Sequence, residues 1–146
     1  MITTSRFISA LVILCGVSAV GAQTGAQRST RDGVFTEDQA KRGQDVYLDE
    51  CSTCHAANLR GNESAKALIG DEFMAAWAGQ TVGDIFERTR ATMPQDSPGR
   101  LGPQQCADVI AFLLSSNELP SGSKELEHDA ALLKQIRWET KVRPTP

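Results

Sequence analysis

Apolar side chains fall in short blocks along the chain, and the first block differs from the rest. Positions 7–20 are mostly apolar and follow a short segment whose one cation is Arg6. A membrane span takes about 20 apolar residues, so this run is short for one. Val20-Gly21-Ala22 supplies the small residues that a signal peptidase reads. Residues 1–22 are expected to be a cleaved signal peptide, with an uncleaved N-terminal anchor as the alternative. Residues 23–34 are polar and small, and read as a flexible leader.

From there the apolar positions recur at helical spacing. Thr36-Glu37-Asp38-Gln39 fits a capping box, with Phe35 and Ala40 at the staple positions. A helix is predicted to about Glu50, with Ala40, Gly43, Val46 and Tyr47 inward. Asn58, Gly61, Asn62, Ser64 and Gly70 make residues 56–70 mostly loop. Asp71 caps a short helix over Phe73, Met74 and Trp77, which Gly79 ends. Thr81 caps another, with Val82, Ile85 and Phe86 on one side. Thr92-Met93-Pro94 stops it, because proline drives the preceding residue to an extended conformation. Residues 95–102 form a loop. Pro103 suits a first helical turn, and Val109, Ile110, Phe112, Leu113 and Leu114 make the strongest stripe of the chain. Beyond a linker at 120–123, residues 129–137 read as a short amphipathic helix with Leu132, Leu133 and Ile136 inward. Pro144-Thr145-Pro146 ends a loose tail. No strand pattern and no repeat is visible. The expectation is an all-α domain of four or five helices over residues 35–119, followed by a C-terminal strap with a short helix over 120–146.

Composition adds two constraints. Aromatic residues make up only 5% of the 146 positions, so the core is thin, and a large buried cofactor would supply the missing apolar area. The formal charge is −3 with no basic run, which excludes a nucleic-acid binder and suits docking to a complementary or neutral face. No segment after the first run is long enough to span a bilayer.

Of the four cysteines, Cys15 falls in the signal peptide, and Leu14 before it is too bulky for a lipid-attachment motif. Cys106 stands alone. The odd number left argues against a disulfide framework. The other two belong to Cys51-Ser52-Thr53-Cys54-His55, the haem-attachment pattern. Thiols one turn apart reach two vinyl groups of a porphyrin and form thioethers, and the next residue turns its imidazole to the iron. A thioredoxin-like redox pair would need a βαβ setting. A structural zinc site would need four ligands, and His128 and Cys106 are poorly spaced to complete one. His55 supplies one axial ligand. For the other, Met93 sits at a helix end where Pro94 fixes the chain; Met74 reads as core, and His128 in its acidic stretch is the rival. A thioether sulfur favours reduced iron and raises its potential. Two filled axial sites leave no position for substrate, which points to electron transfer.

These residues resemble the class I cytochromes c. In that family a glycine and an aromatic residue on the helix before the motif cross the C-terminal helix closely. Gly43 and Tyr47 match them, with Val109 and Phe112 as the partners. The resemblance covers about residues 35–117. Thr92-Met93-Pro94 looks like the axial-methionine segment of compact bacterial members. Residues 70–98, with Trp77 and Thr81-Val82-Gly83-Asp84-Ile85-Phe86, are similar to small cytochromes found beside or fused to quinoprotein dehydrogenases. The resemblance implies a cytochrome c fold around one covalent haem c on Cys51 and Cys54, with iron held by His55 and Met93 and no catalytic residue. It implies a periplasmic or secreted electron carrier between redox proteins, with a quinoprotein dehydrogenase as a candidate partner. The rivals are a subunit of a quinoprotein dehydrogenase or oxidase complex, a gas-binding or catalytic haem protein with open iron, and a thiol oxidoreductase. Arg60, Arg88, Arg90, Arg100 and Trp77 are candidates to meet haem propionates, and Cys106 is expected to pack as a small hydrophobe.

Overall fold

The computed structural model describes residues 27–140. The expected signal peptide, the start of the leader and the Pro144-Thr145-Pro146 tail lie outside the described residues. The elements are β1 Arg28–Ser29, α1 Glu37–Glu50, α2 Ser52–His55, α3 Asp71–Ala76, α4 Val82–Thr92, α5 Pro103–Ser116, α6 Ala130–Leu133 and β2 Ile136–Arg137. Among the described residues the protein is all-α apart from one pair of two-residue strands.

The crossing of α1 and α5 organises the fold. A Cβ added at Gly43 would land on the backbone carbonyl of Asp108, far inside contact distance. Only a bare glycine lets the two helices touch there. One turn further on, the Tyr47 and Phe112 rings lie 5.3 Å apart at 51°, in the tilted geometry aromatic pairs favour. Tyr47 is fully buried, and burial, followed by the neighbouring Cys51, pushes its hydroxyl up to about 12.

The helix starts follow local chemistry. Thr36 accepts a hydrogen bond from the Gln39 amide at 3.2 Å, but the box does not close. The Gln39 side chain is fully buried and turns instead to the strap, donating to the Leu126 carbonyl at 2.9 Å and accepting from the Leu126 amide at 2.6 Å. Two buried backbone groups of the strap need these partners. At α4 the box does close: Thr81 accepts from Asp84 at 3.2 Å, and Asp84 accepts from the Thr81 amide at 2.7 Å. The Thr81 hydroxyl, which donates to the Asp84 carboxylate at 2.7 Å, and then the Thr81 amide hold that carboxyl below its ordinary value. At α3 the cap is Gly70, with φ 92, and Asp71 sits inside the first turn.

Two further expectations need correction. Residues 28–34 are not a free leader: Ser29, Thr30 and Val34 are buried, and Arg28–Ser29 pairs in parallel with Ile136–Arg137. Two-residue strands are too short to show an alternating pattern, which is why the sequence shows none. In the segment predicted as the last helix, Leu133 is buried in α6 and Ile136 is buried in β2, but Leu132 is 46% exposed. That helix is one turn, so its inward face is narrower than the sequence stripe. No helix among the described residues is long and apolar enough to cross a membrane.

Gly43→Ala is expected to lose stability at or above the upper end of the ~1–3 kcal/mol of ordinary overpacking, because the atom it meets is backbone. Denaturant unfolding checks this, and an unchanged midpoint would contradict the crossing.

Candidate functional site

Helix α1 delivers the Cys51–His55 motif. Cys51 is its C-cap, with its amide bonded to the Tyr47 carbonyl at 2.9 Å. The chain then makes one further turn, in which Cys54 and His55 amides both reach the Cys51 carbonyl, at 3.2 and 3.0 Å. Ala56, with φ 60, ends that turn. The exposed carbonyls of a helix end need donors, and Tyr47 provides one. Its hydroxyl donates to the Ala56 carbonyl at 2.6 Å and lies 3.3 Å from the His55 carbonyl. Tyr47 therefore both packs the crossing and fixes the end of the motif.

The loop that follows turns back on His55. The Gly61 amide meets the His55 carbonyl at 3.0 Å, and the Leu68 amide meets the Leu59 carbonyl at 2.8 Å. Gly61 has φ 71, and a Cβ there would lie 2.7 Å from the Ala67 nitrogen. This folding brings the Lys66 carbonyl to 2.8 Å from His55 Nδ1. A carbonyl only accepts, so in the neutral imidazole Nδ1 carries the hydrogen and Nε2 keeps its lone pair. Such a backbone anchor fixes tautomer and orientation in imidazoles that bind metals. Sequence reasoning missed Lys66, because it acts through its backbone and no side-chain pattern marks it.

Cys51 is half-buried, Cys54 is exposed, and neither is in a disulfide. Burial, and next the Glu50 carboxylate, push the Cys51 thiol up to about 11. Cys106 is fully buried, with its sulfur 3.7 Å from the Phe86 carbonyl. Burial pushes its thiol up to about 12, so it packs as core.

Met93 comes from a separate element. It is the C-cap of α4 and is extended, at φ −124 and ψ 148, as the following proline demands. It is half-buried. Arg100, in the loop after it, forms an ion pair with Glu50, the residue before Cys51. The segment after Met93 is thereby tied to the start of the motif. Met74 is 6% exposed within the core. His128 is exposed on the strap. Among the other candidates, the Arg88 guanidinium lies 5.9 Å over the Trp77 ring and Arg90 lies 5.7 Å over Phe86, while Arg60 is exposed.

Among the described residues, no three or more His, Cys, Asp or Glu side chains converge on a common metal position, so the zinc reading finds no ligand set there. The donors present fit haem c: two unbridged thiols one turn apart, an anchored imidazole beside them, and a thioether on a second element.

Residues 38–113 match the family model described as cytochrome c oxidase, cbb3-type, subunit III. The chain belongs to this family of c-type cytochrome domains. Its fold is cytochrome c-like, and membership implies electron transfer and covalently bound haem c. No curated protein matches the sequence. Among solved structures, the sulfane dehydrogenase SoxCD from Paracoccus pantotrophus is similar at a TM-score of 0.48 and 20% identity, over 78% of this chain and 61% of that one. The match thus spans less than two thirds of that chain.

The Cys106 thiol sits at about 12, above its ordinary value of 9.0, so its neutral form favours folding. That contribution is complete below pH 9 and is lost as pH rises from 9 to 12. Stability should therefore decline over that window, and Cys106→Ala should flatten the decline in unfolding measured against pH. Iodoacetamide at about pH 8 should leave Cys106 unmodified in the folded protein, and a mass shift there before unfolding would contradict its burial.

Proposed function

We propose that this protein is a monohaem c-type cytochrome that passes single electrons outside the cytoplasmic membrane, from a donor dehydrogenase to a downstream acceptor. The observation that carries the reading is His55: its Nδ1 is committed to the Lys66 carbonyl, which leaves Nε2 as a ligand beside the Cys51 and Cys54 thiols. Bound there, haem supplies a one-electron iron couple.

The chain's own residues do the rest. Cys51 and Cys54 hold the porphyrin through thioethers, which prevents loss to the medium. His55 ligates the iron with an orientation set by Lys66 and an end-of-helix position set by Tyr47. Met93 would give the second ligand to the iron, and its soft sulfur would raise the potential. With both positions filled, no site remains for substrate, and the protein carries electrons without catalysing a reaction. Cys54 is exposed and Leu48, whose carbonyl accepts from Ser52 at 2.6 Å, is 43% exposed. This side of the motif suits a small, transient redox encounter. Residues 1–22 act as the export signal, which takes the chain to the compartment where haem c is attached.

A second reading, a subunit of an oxidase or quinoprotein dehydrogenase complex, is favoured by the family description, which names an oxidase subunit. Migration as a monomer in size-exclusion chromatography of native extract supports the free carrier, and copurification with a large partner supports the subunit.

Expression with haem-maturation machinery should give coloured protein, cut before Gln23 and one haem heavier than the polypeptide. Cys51→Ala and Cys54→Ala should each lose one thioether. Met93→Ala should lose the sulfur ligand in the oxidised spectrum and lower the potential, within the ~0.8 V span that axial ligands command. Colourless product of unchanged mass would end the proposal.

A further inference from the structure

After α5 the chain crosses back over both segments that carry the proposed ligands. It is fastened first to α1, which runs into Cys51. Buried Gln39 holds both backbone groups of Leu126, at 2.9 and 2.6 Å. Arg42, itself 3.2 Å from Asp108, reaches Glu125 at 2.9 Å. The same stretch is then fastened to α3 and α4, and α4 ends at Met93. A Cβ at Gly83 would lie 2.7 Å from the Lys134 nitrogen, so helix and strap are in backbone contact. Lys134 pairs with Glu87 at 2.8 Å. The Trp138 amide donates to the Gln80 carbonyl at 2.9 Å, and Thr81 forms a bridge with Arg137.

Trp138 is the largest buried side chain in these contacts, at 2% exposed. Its ring meets Phe73 edge-on at 6.0 Å and Trp77 at 6.3 Å. Its indole N–H donates to the Met74 carbonyl at 3.1 Å. Strand β1 pairs with β2, the two residues that precede Trp138.

We propose that Trp138 is a positioning residue for the sulfur ligand. Through it the strap fixes α3 and α4 relative to α1, and so sets the placement of Met93 against the His55 side. The inference rests on the reading that Met93 ligates the iron. The physical reason is that α4 is one unbroken helix, so a displacement where the strap grips it reaches its far end at Met93. A thioether is a weak ligand that stays bound only while its segment is held in place.

The test is exogenous imidazole binding to the oxidised, haem-loaded full chain, read with the sulfur-to-iron charge-transfer absorbance. Imidazole competes with Met93, so its apparent affinity reports how often the sulfur is off. Trp138→Ala should keep covalent haem and His55 ligation, weaken the sulfur absorbance, and bind imidazole about tenfold more tightly than the parent. Trp138→Phe, which keeps a ring and loses only the N–H, should fall between them. Val34→Ala, a core truncation in the segment before α1, controls for general destabilisation and should leave the affinity unchanged. If Trp138→Ala does not fold, Trp138→Phe and Gly83→Ala decide, since Gly83→Ala pushes the strap off α4 from the other side. Tighter binding in both supports the proposal. Unchanged imidazole affinity in the Trp138 and Gly83 variants, or an equal rise in Val34→Ala, overturns it. Met93→Ala separates the two claims: affinity equal to the parent's overturns the ligand assignment and the strap's role together, whereas a large rise with silent Trp138 variants overturns the strap alone.

Discussion

At Gly43 the two longest helices among the described residues meet backbone to backbone, and nothing larger than hydrogen fits between them. The position of Tyr47 against Phe112 follows from that approach, because the rings are one turn further along the same contact. The buried hydroxyl of Tyr47 then reaches the carbonyls at the end of the Cys51–His55 turn. A spacing between helix axes is thus converted, through one side chain, into the placement of a functional motif. A bulkier residue at position 43 would disturb packing and site together.

The two halves of the proposed haem site are held by different means. On one side Cys51, Cys54 and His55 are neighbours in sequence, and short-range hydrogen bonds place them: Cys54 and His55 to Cys51, and the ring to Lys66. Little conformational freedom is left to remove. On the other side Met93 stands alone at the end of α4. Its position relies on distant partners: Arg100 to Glu50 behind it, and the capping box of Thr81 and Asp84 at the far end of its helix. Local hydrogen bonds secure the first half, and tertiary packing secures the second.

The sequence shows this division in what it reveals. Helices α1, α4 and α5 are legible because apolar spacing, caps and Pro103 are local signals that agree with one another. The Cys-Ser-Thr-Cys-His motif, Gly43 and Tyr47 are legible because their chemistry and spacing are specific. The partners that cross the chain are not. Gln39 sits where a capping-box glutamine belongs, and its side chain has two competing uses; the buried amide and carbonyl of Leu126 win because no water reaches them. Residues 28–34 look like a tether because polar, small residues make both tethers and edge contacts. Their burial depends on a strand partner more than a hundred positions away. Lys66 contributes a backbone carbonyl, which every residue possesses, so its identity carries no information.

The same logic explains where the scarce aromatic residues sit. The chain has one tyrosine and two tryptophans. Tyr47 is at the helix crossing beside the motif. Trp138 is fully inside the strap contact, and Trp77 lies between it and Arg88. Large flat side chains bury the most area per residue ordered, so in a thin core they matter most where two elements lack local reasons to stay together. Within α5, the aliphatic residues Val109, Ile110, Ala111, Leu113 and Leu114 are buried and already hold the helix. The tyrosine and the two tryptophans are used at the joints: the first where helix meets motif, the others where the returning chain meets α3. The fold spends its least abundant residues on the relative placement of segments, which is the quantity that a site assembled from two distant parts of a chain requires.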